Sequence, residues 1–464
     1  MASALLVALL AAVLISVSDY RKGMIVIAAT GLIQDLVRKL APGQPTYLMG
    51  LVFAAFGATL LGALSVENPR WWRRKDWKGL QTPIQLFGIV LLVQSAVSYL
   101  RIGSFVLIVL GLAAYAGPIA AIALGSWAGS ARGVVERFLW AYLVIVIAMA
   151  SGVVLYEVGY RWPSLMSIGP GLTVYDWELG AIYLPPGFFR TPEVASWHCA
   201  TGACAAIVLA TMGRVSSARS VALGGAATFL TWCVVVTGRR KGLGEIVIFL
   251  AVFVSLQVWI RGRLGKLGGA VLITILLGAA AFQRYGLQEK AAGQIGSMIE
   301  RTEASGGASG RFVGGVTSLP DIVRAAGLLG TGLGSGSQGS QHFRAEGEQW
   351  SAISEGGLAR VVAELGLPGS LVALLLLYRF GGNLKERASG LRRRTAAEAS
   401  SLLGLIALLA ANAVIFVSAH QIFGDPFVYL FLGLVAGFVV AGLDEEAMAE
   451  WRARRLAPAI PAAA

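Results

Sequence analysis

Charge is what this chain has least of. Only 14% of its 464 residues are Asp, Glu, Lys or Arg, against about a quarter in an ordinary soluble domain. That deficit excludes a globular surface solvated on all sides. Cysteine and histidine are nearly as scarce, with three of each. Cys199, Cys204 and Cys233 fall in apolar stretches, have no CxxC spacing, and make no zinc-ligand set with His198, His342 and His420. His198 beside Cys199 reads as packing at a helix start rather than as a metal ligand.

What is abundant is apolar sequence. Hydrophobic residues make up 56% of the chain and the mean hydropathy is +0.71. Apolar stretches near the length of a bilayer span, about 20 residues, recur from end to end. The reading is an all-α polytopic membrane protein. The formal charge of +13 then belongs to loops that fix orientation, not to a nucleic-acid partner. Ala2–Val17 lacks a basic leader and is followed by Asp19-Tyr20-Arg21-Lys22, so it reads as a first span rather than a cleaved signal.

Candidate spans cover 2–17, 23–36, 46–65, 82–99, 104–126, 138–157, 194–212, 220–237, 244–260, 268–283, 357–380, 401–420 and 427–442. The second is short, so twelve and thirteen spans both fit. Alternate loops carry basic clusters, the densest being Arg70/Arg73/Arg74/Lys75/Lys78, flanked by Trp71, Trp72 and Trp77. By the positive-inside rule those loops and the tail 443–464 are cytoplasmic. Segments 37–45, 158–193, 238–243 and 284–356 then face outward. The organisation is N-terminal spans over 1–157, an outer loop over 158–193, and spans with a basic outer turn over 194–283. A large outer loop over 284–356 and C-terminal spans over 357–442 follow.

The turn Gly238-Arg239-Arg240-Lys241 breaks the positive-inside pattern. It is either a snorkelling interfacial cluster or an anion site, since adjacent arginines suit a phosphate or diphosphate through forked hydrogen bonds. Glu245 follows closely enough to orient one guanidinium. Loop 158–193 interleaves aromatics with Asp176, Glu178 and Glu193. It is either an interfacial loop or a sugar-binding surface in which rings such as Trp177 stack on a pyranose. Arg190 stands at the mouth of the seventh span, within reach of an anionic head group.

In the large loop, Ser305–Gly310 gives flexible backbone before Arg311 and permits close approach to a ligand. Thr317–Gly334 reads as a short amphipathic helix ending in a glycine turn. Gly330–Gly336 is no P-loop, because it lacks the Lys-Ser/Thr close and no strand precedes it. Arg360 pairs with Glu364 at i, i+4 if the segment is helical. Glu355 either caps that helix or serves as a general base on a hydroxyl. His342, beside Arg344, is the alternative base.

Four of these places resemble the superfamily of bacterial O-antigen ligases and Wzy-type polysaccharide polymerases. Arg190 before Thr191-Pro192-Glu193-Val194 is similar to the arginine that precedes a "hPN"-like stretch there. Thr237–Gly242 resembles its "SRG" turn. Ser309-Gly310-Arg311 and Gly330–Gly334 are similar to its "SGR" and "GxGxG", and Glu355–Gly369 to its "HN…ELGLxG". Glu355 stands where the ligases carry histidine, which tilts the resemblance toward a polymerase.

The resemblance implies a GT-C-like membrane glycosyltransferase of the bacterial inner membrane, working at its periplasmic face on undecaprenyl-diphosphate-linked glycans as donor and acceptor. Arg190, Arg239, Arg240 and Arg311 would hold the diphosphate, and Glu355 would deprotonate the acceptor hydroxyl. His342, Arg344, Glu193 and Trp177 are left as acceptor or sugar contacts. Arginines neutralise the leaving group in this scheme, so it calls for no metal or other cofactor. Membrane lipid and a chain-length regulator are the further partners. The alternatives are an O-antigen ligase or, from another class, a flippase or transporter of lipid-linked sugars.

Overall fold

A computed structural model describes residues 2–67, 79–131, 133–160, 162, 165, 173–176, 180–212, 216–261, 313–336, 356–393, 395–418 and 422–443. The chain begins as a helical hairpin, α1 (Ala2–Ser18) and α2 (Tyr20–Leu40). They are joined at Asp19, whose extended backbone and side chain cap α2 through the Arg21 N–H. A 3-10 turn (Thr46–Gly50) leads into α3 (Leu51–Val66), followed by α4 (Gln81–Ile102), α5 (Phe105–Gly129) and α6 (Val134–Glu157). The loop expected at 158–193 contains a short antiparallel hairpin, β1 (Thr173–Asp176) with β2 (Gly180–Tyr183). Among the described residues it is the exception to a helical architecture.

Helices α7 (Pro192–Thr211), α8 (Ser217–Val236), α9 (Arg240–Arg261), α10 (Leu319–Ala326), α11 (Gly357–Ala388), α12 (Ala396–Ser418) and α13 (Pro426–Gly442) complete the described bundle. Among the described residues, nine helical stretches are long and apolar enough to cross a membrane. Helix α2 is not one of them, since Asp35, Arg38 and Lys39 lie in its last turns, and α13 is a shorter apolar helix. The expected span 268–283 lies outside the described residues. Large apolar side chains such as Leu92, Leu100, Val221 and Leu377 are exposed on the outside of the bundle. Bare hydrocarbon of that extent on single helices belongs against lipid. The protein is a multi-pass helical membrane protein.

Helix α7 is the axis of the bundle: 89% of its apolar window is buried, against 22% for α5. Its run of Ala200, Gly202, Ala203, Ala205 and Ala206 lets neighbours approach closely, and it packs against α6, α8, α9 and α12. The tightest helix pair is α5 with α13, each bearing a Gly-xxx-Gly spacing. A Cβ at Gly125 would strike the Leu434 carbonyl, and one at Gly437 the Ile122 carbonyl. In lipid, where apolar burial does not draw helices together, such backbone contact is what packs them.

Helix α11 is broken at Gly366, whose φ is 67°. Pro368 has no N–H to return to the Glu364 carbonyl. A wedge formed by residues 328–336 takes up the groups freed by the break. Thr331 N–H donates to Ala363 O at 2.7 Å, Gly332 N–H to Glu364 O at 3.2 Å, and Leu367 N–H to Leu328 O at 2.9 Å. From α4, Gln94 Nε2 donates to Leu365 O and Leu329 O, and Ser98 Oγ to Leu333 O. At Gly332, with φ 98°, a Cβ would lie 2.5 Å from the Ser98 nitrogen. The expected short helix and glycine turn are therefore present, the helix being α10, and the turn is driven into the bundle wall.

Gly437→Leu should force α13 off α5 at a cost of about 1–3 kcal/mol or more. The check is the thermal midpoint of the detergent-solubilised protein, which should fall clearly, whereas Leu100→Ala on the exposed flank of α4 should barely move it.

Candidate functional site

The end of α2, loop 184–191 and the heads of α7, α9 and α13 meet at one end of the bundle. Arg190 is the centre of this end. Thr191 N-caps α7 and Pro192 opens it, so the chain reaches the helix with Arg190 fixed just before the cap. Its Nη2 lies 3.0 Å from Asp425 Oδ2, and its backbone N–H donates to Asp35 Oδ2 at 3.1 Å. Both carboxylates and the guanidinium are buried. Asp425 also caps α13, accepting from the N–H of Phe427 at 2.7 Å.

Beside it, Arg239 pairs with Glu193 at 2.5 Å, half-shielded on both sides. Gly238, with φ 65°, turns the chain over Leu184 to bring Arg239 there, and Ser196 Oγ donates to the Arg239 carbonyl. Arg240 opens α9 on the same edge. The structure thus gathers Arg190, Glu193, Arg239 and Arg240 around the heads of α7 and α9. Arg311, Glu355, His342, Arg344 and Trp177 lie outside the described residues.

Glu245 does not orient a guanidinium of the basic turn. It faces inward from α9, where Oε1 accepts from Thr201 Oγ1 at 2.7 Å and from Asn412 Nδ2 at 3.1 Å, while Asn412 Oδ1 accepts from Trp197. Five residues into α9, it is carried past the turn onto the face that meets α7 and α12, and Glu193 takes the orienting role instead. His198 is a packed core residue, with Nδ1 3.0 Å from Tyr142 Oη and its ring stacked between Phe189 and Phe427. Arg360 Nε donates to Glu364 Oε1 at 3.1 Å, as the i, i+4 spacing predicts, and Gly336 N–H donates to the same oxygen.

Sequence did not single out Arg38, Lys39, Met49 and Asp425. Arg38 Nη1 and Arg190 Nη1 both donate to the Met49 sulfur, at 3.3 and 3.2 Å. Lys39 Nζ donates to the carbonyls of Leu165 and Gly187, at 2.8 and 2.9 Å. Those two residues line a cleft with Tyr156, Tyr160, Trp162 and Phe188. There the Trp162 and Phe188 rings lie nearly parallel, 6.1 Å apart. Asp425-Pro426 is legible as a helix start; its partner, far away in the chain, is not.

Burial pushes the Lys39 ammonium down to about 7, and Asp35 nearby pulls it only part of the way back. An arginine cluster held by carboxylates beside an aromatic cleft can grip an anion that carries a ring-shaped, hydroxylated group. No protein-family model matches the chain, and no curated protein matches it.

Asp425→Asn keeps a capping side chain but strands a buried guanidinium, a loss of about 3–5 kcal/mol. The double change Arg190→Met with Asp425→Asn should recover most of the fall in thermal midpoint. For Lys39 the unfolded lysine titrates near 10.4. Between about 7 and that value the unfolded chain binds more protons, so Lys39 makes stability rise with pH there. The thermal midpoint of wild type should rise relative to that of Lys39→Met between pH 7 and 9; a difference that does not change with pH would contradict the assignment.

Proposed function

We propose that this chain is a membrane glycosyltransferase of the polysaccharide-polymerase type, joining lipid-linked oligosaccharide repeat units at the periplasmic face of a bacterial inner membrane. The observation that carries the reading is the pair Arg190 and Arg239, each oriented by its own carboxylate, Asp425 and Glu193, at one end of the bundle. Guanidiniums held in this way are preorganised for the charge that develops on a departing diphosphate. Arg240 and Arg311 add to that charge, and the cleft at Trp162 and Phe188 supplies flat apolar faces for sugar rings.

In the reaction, Glu355 takes the proton of the acceptor hydroxyl as that oxygen attacks the anomeric carbon of the donor. The bond from that carbon to the diphosphate oxygen breaks, and undecaprenyl diphosphate leaves with its electron pair. Configuration at the anomeric carbon inverts. His342, Arg344, Glu193 and Trp177 are the acceptor and sugar contacts of this scheme. The outer loop 284–356 brings Arg311 and Glu355 to the two partners.

A transporter of lipid-linked sugars is the second reading, and one observation favours it. Glu245 is fully buried in the bundle with Oε2 unpartnered among the described residues, and buried ionisable groups of this kind often mark transport pathways.

Purified protein given a lipid-linked repeat unit should yield a ladder of products, and Glu355→Gln and Arg311→Ala should each abolish it. Polymer retained by both variants ends the catalytic reading. A single transfer onto a lipid A core indicates a ligase. Movement of the lipid-linked sugar across a vesicle wall with no product, lost in Glu245→Gln, indicates a transporter.

A further inference from the structure

Two guanidiniums from distant parts of the chain converge on one sulfur. Arg38 approaches from the last turns of α2 and Arg190 from the entry to α7, and the Met49 thioether accepts from both. Thioether sulfur is a weak, uncharged acceptor. The other bond of Arg38 goes to a neutral carbonyl, from Nε to Gln44 O at 3.0 Å. Arg190 is fixed from behind by Asp425. The N–H groups that face the sulfur are thus the ones least well satisfied, and they point at a single place.

The turn that presents Met49 is also unusual. Gln44 has a φ of 46°, and it is the one non-glycine residue with positive φ among those described. A conformation that side chains avoid is kept here at the residue whose carbonyl holds Arg38. Methionine is unbranched and rotates freely, so its sulfur can leave such a gap with little disturbance. An anionic oxygen in its place would accept charge-assisted bonds from both forks, as phosphate groups do from paired arginines.

We propose that Arg38 and Arg190 form a two-armed phosphate seat, occupied by the Met49 thioether until a diphosphate-bearing lipid displaces it. The seat rests on the glycosyltransferase reading for the identity of that lipid, and it adds Arg38 as a binding residue and Met49 as a displaceable plug. The rest of the seat is already in place: Asp425 aims one arm, and the Gln44 carbonyl aims the other.

The test is binding to the full chain in nanodiscs, with farnesyl diphosphate, inorganic diphosphate and farnesol as probes. Farnesyl diphosphate should bind, and Arg38→Ala should weaken it on the order of ten- to a hundredfold, the loss of one charge-assisted bond. Met49→Glu places a carboxylate between the arms. It should raise the thermal midpoint while abolishing binding, an outcome that a merely structural thioether contact would not give. Equal affinity for inorganic diphosphate would overturn the lipid as the source of the phosphate. Wild-type affinity in Arg38→Ala, or a lowered midpoint in Met49→Glu, would overturn the seat. Binding that depends on Arg38 without any product ladder leaves the seat standing and ends the catalytic reading. A ladder indifferent to Arg38→Ala does the reverse.

Discussion

A guanidinium withdrawn from water organises the end of this bundle. Arg190 is held by Asp425 on one side and, through its own backbone, by Asp35 on the other. Each carboxylate belongs to a different helix, so a single residue ties the end of α2, the start of α7 and the start of α13. The arrangement is anchored locally at two of its members: Asp425 also caps α13, and Thr191 caps α7 immediately after Arg190. A buried ion pair is seldom a large net source of stability, but breaking one is costly. That asymmetry gives the site its fixed geometry.

The opposite solution operates at the broken helix α11. There, among the described residues, no ion pair bridges the elements, and the joint is made chiefly by backbone answering backbone. Gly366 and Pro368 open the helix, and residues 328–336 take up the freed carbonyls and N–H groups almost one for one. Polar main chain away from water has to find such partners. Glu364 joins the two solutions, since its side chain receives both Arg360 and the Gly336 N–H while its carbonyl receives Gly332.

Local patterns were readable in the sequence and distant pairings were not. Most of the spans follow from hydropathy, α10 from its amphipathic spacing, and the Arg360–Glu364 pair from i, i+4 geometry, because each is decided within a few residues. Arg239 stood out because its basic turn breaks the positive-inside pattern, and Arg190 because it stands at the mouth of the seventh expected span. Their partners did not. Asp425 looks like an ordinary cap and Glu193 an ordinary first-turn acid, and only the fold decides which cation each meets. Glu245 shows the same limit from the other side, since nearness in sequence to Arg239 suggested a pairing that helix geometry directs elsewhere. Lys39 and Asp35 end a helix of mixed character, where periodicity cannot tell an interfacial charge from a buried one. The two strands of the hairpin, four residues each, are too short to signal themselves.

The wedge meets its neighbours chiefly through main-chain atoms, and this sets what inheritance must preserve. Glycines at fixed intervals, with Pro368 opposite them, let the backbones meet, while the buried Leu333 and the Thr331 hydroxyl, which donates to the Ala363 carbonyl, lock the joint between them. The closure therefore resides in the spacing of a few small residues around one apolar anchor and one hydroxyl, more than in any continuous run of sequence.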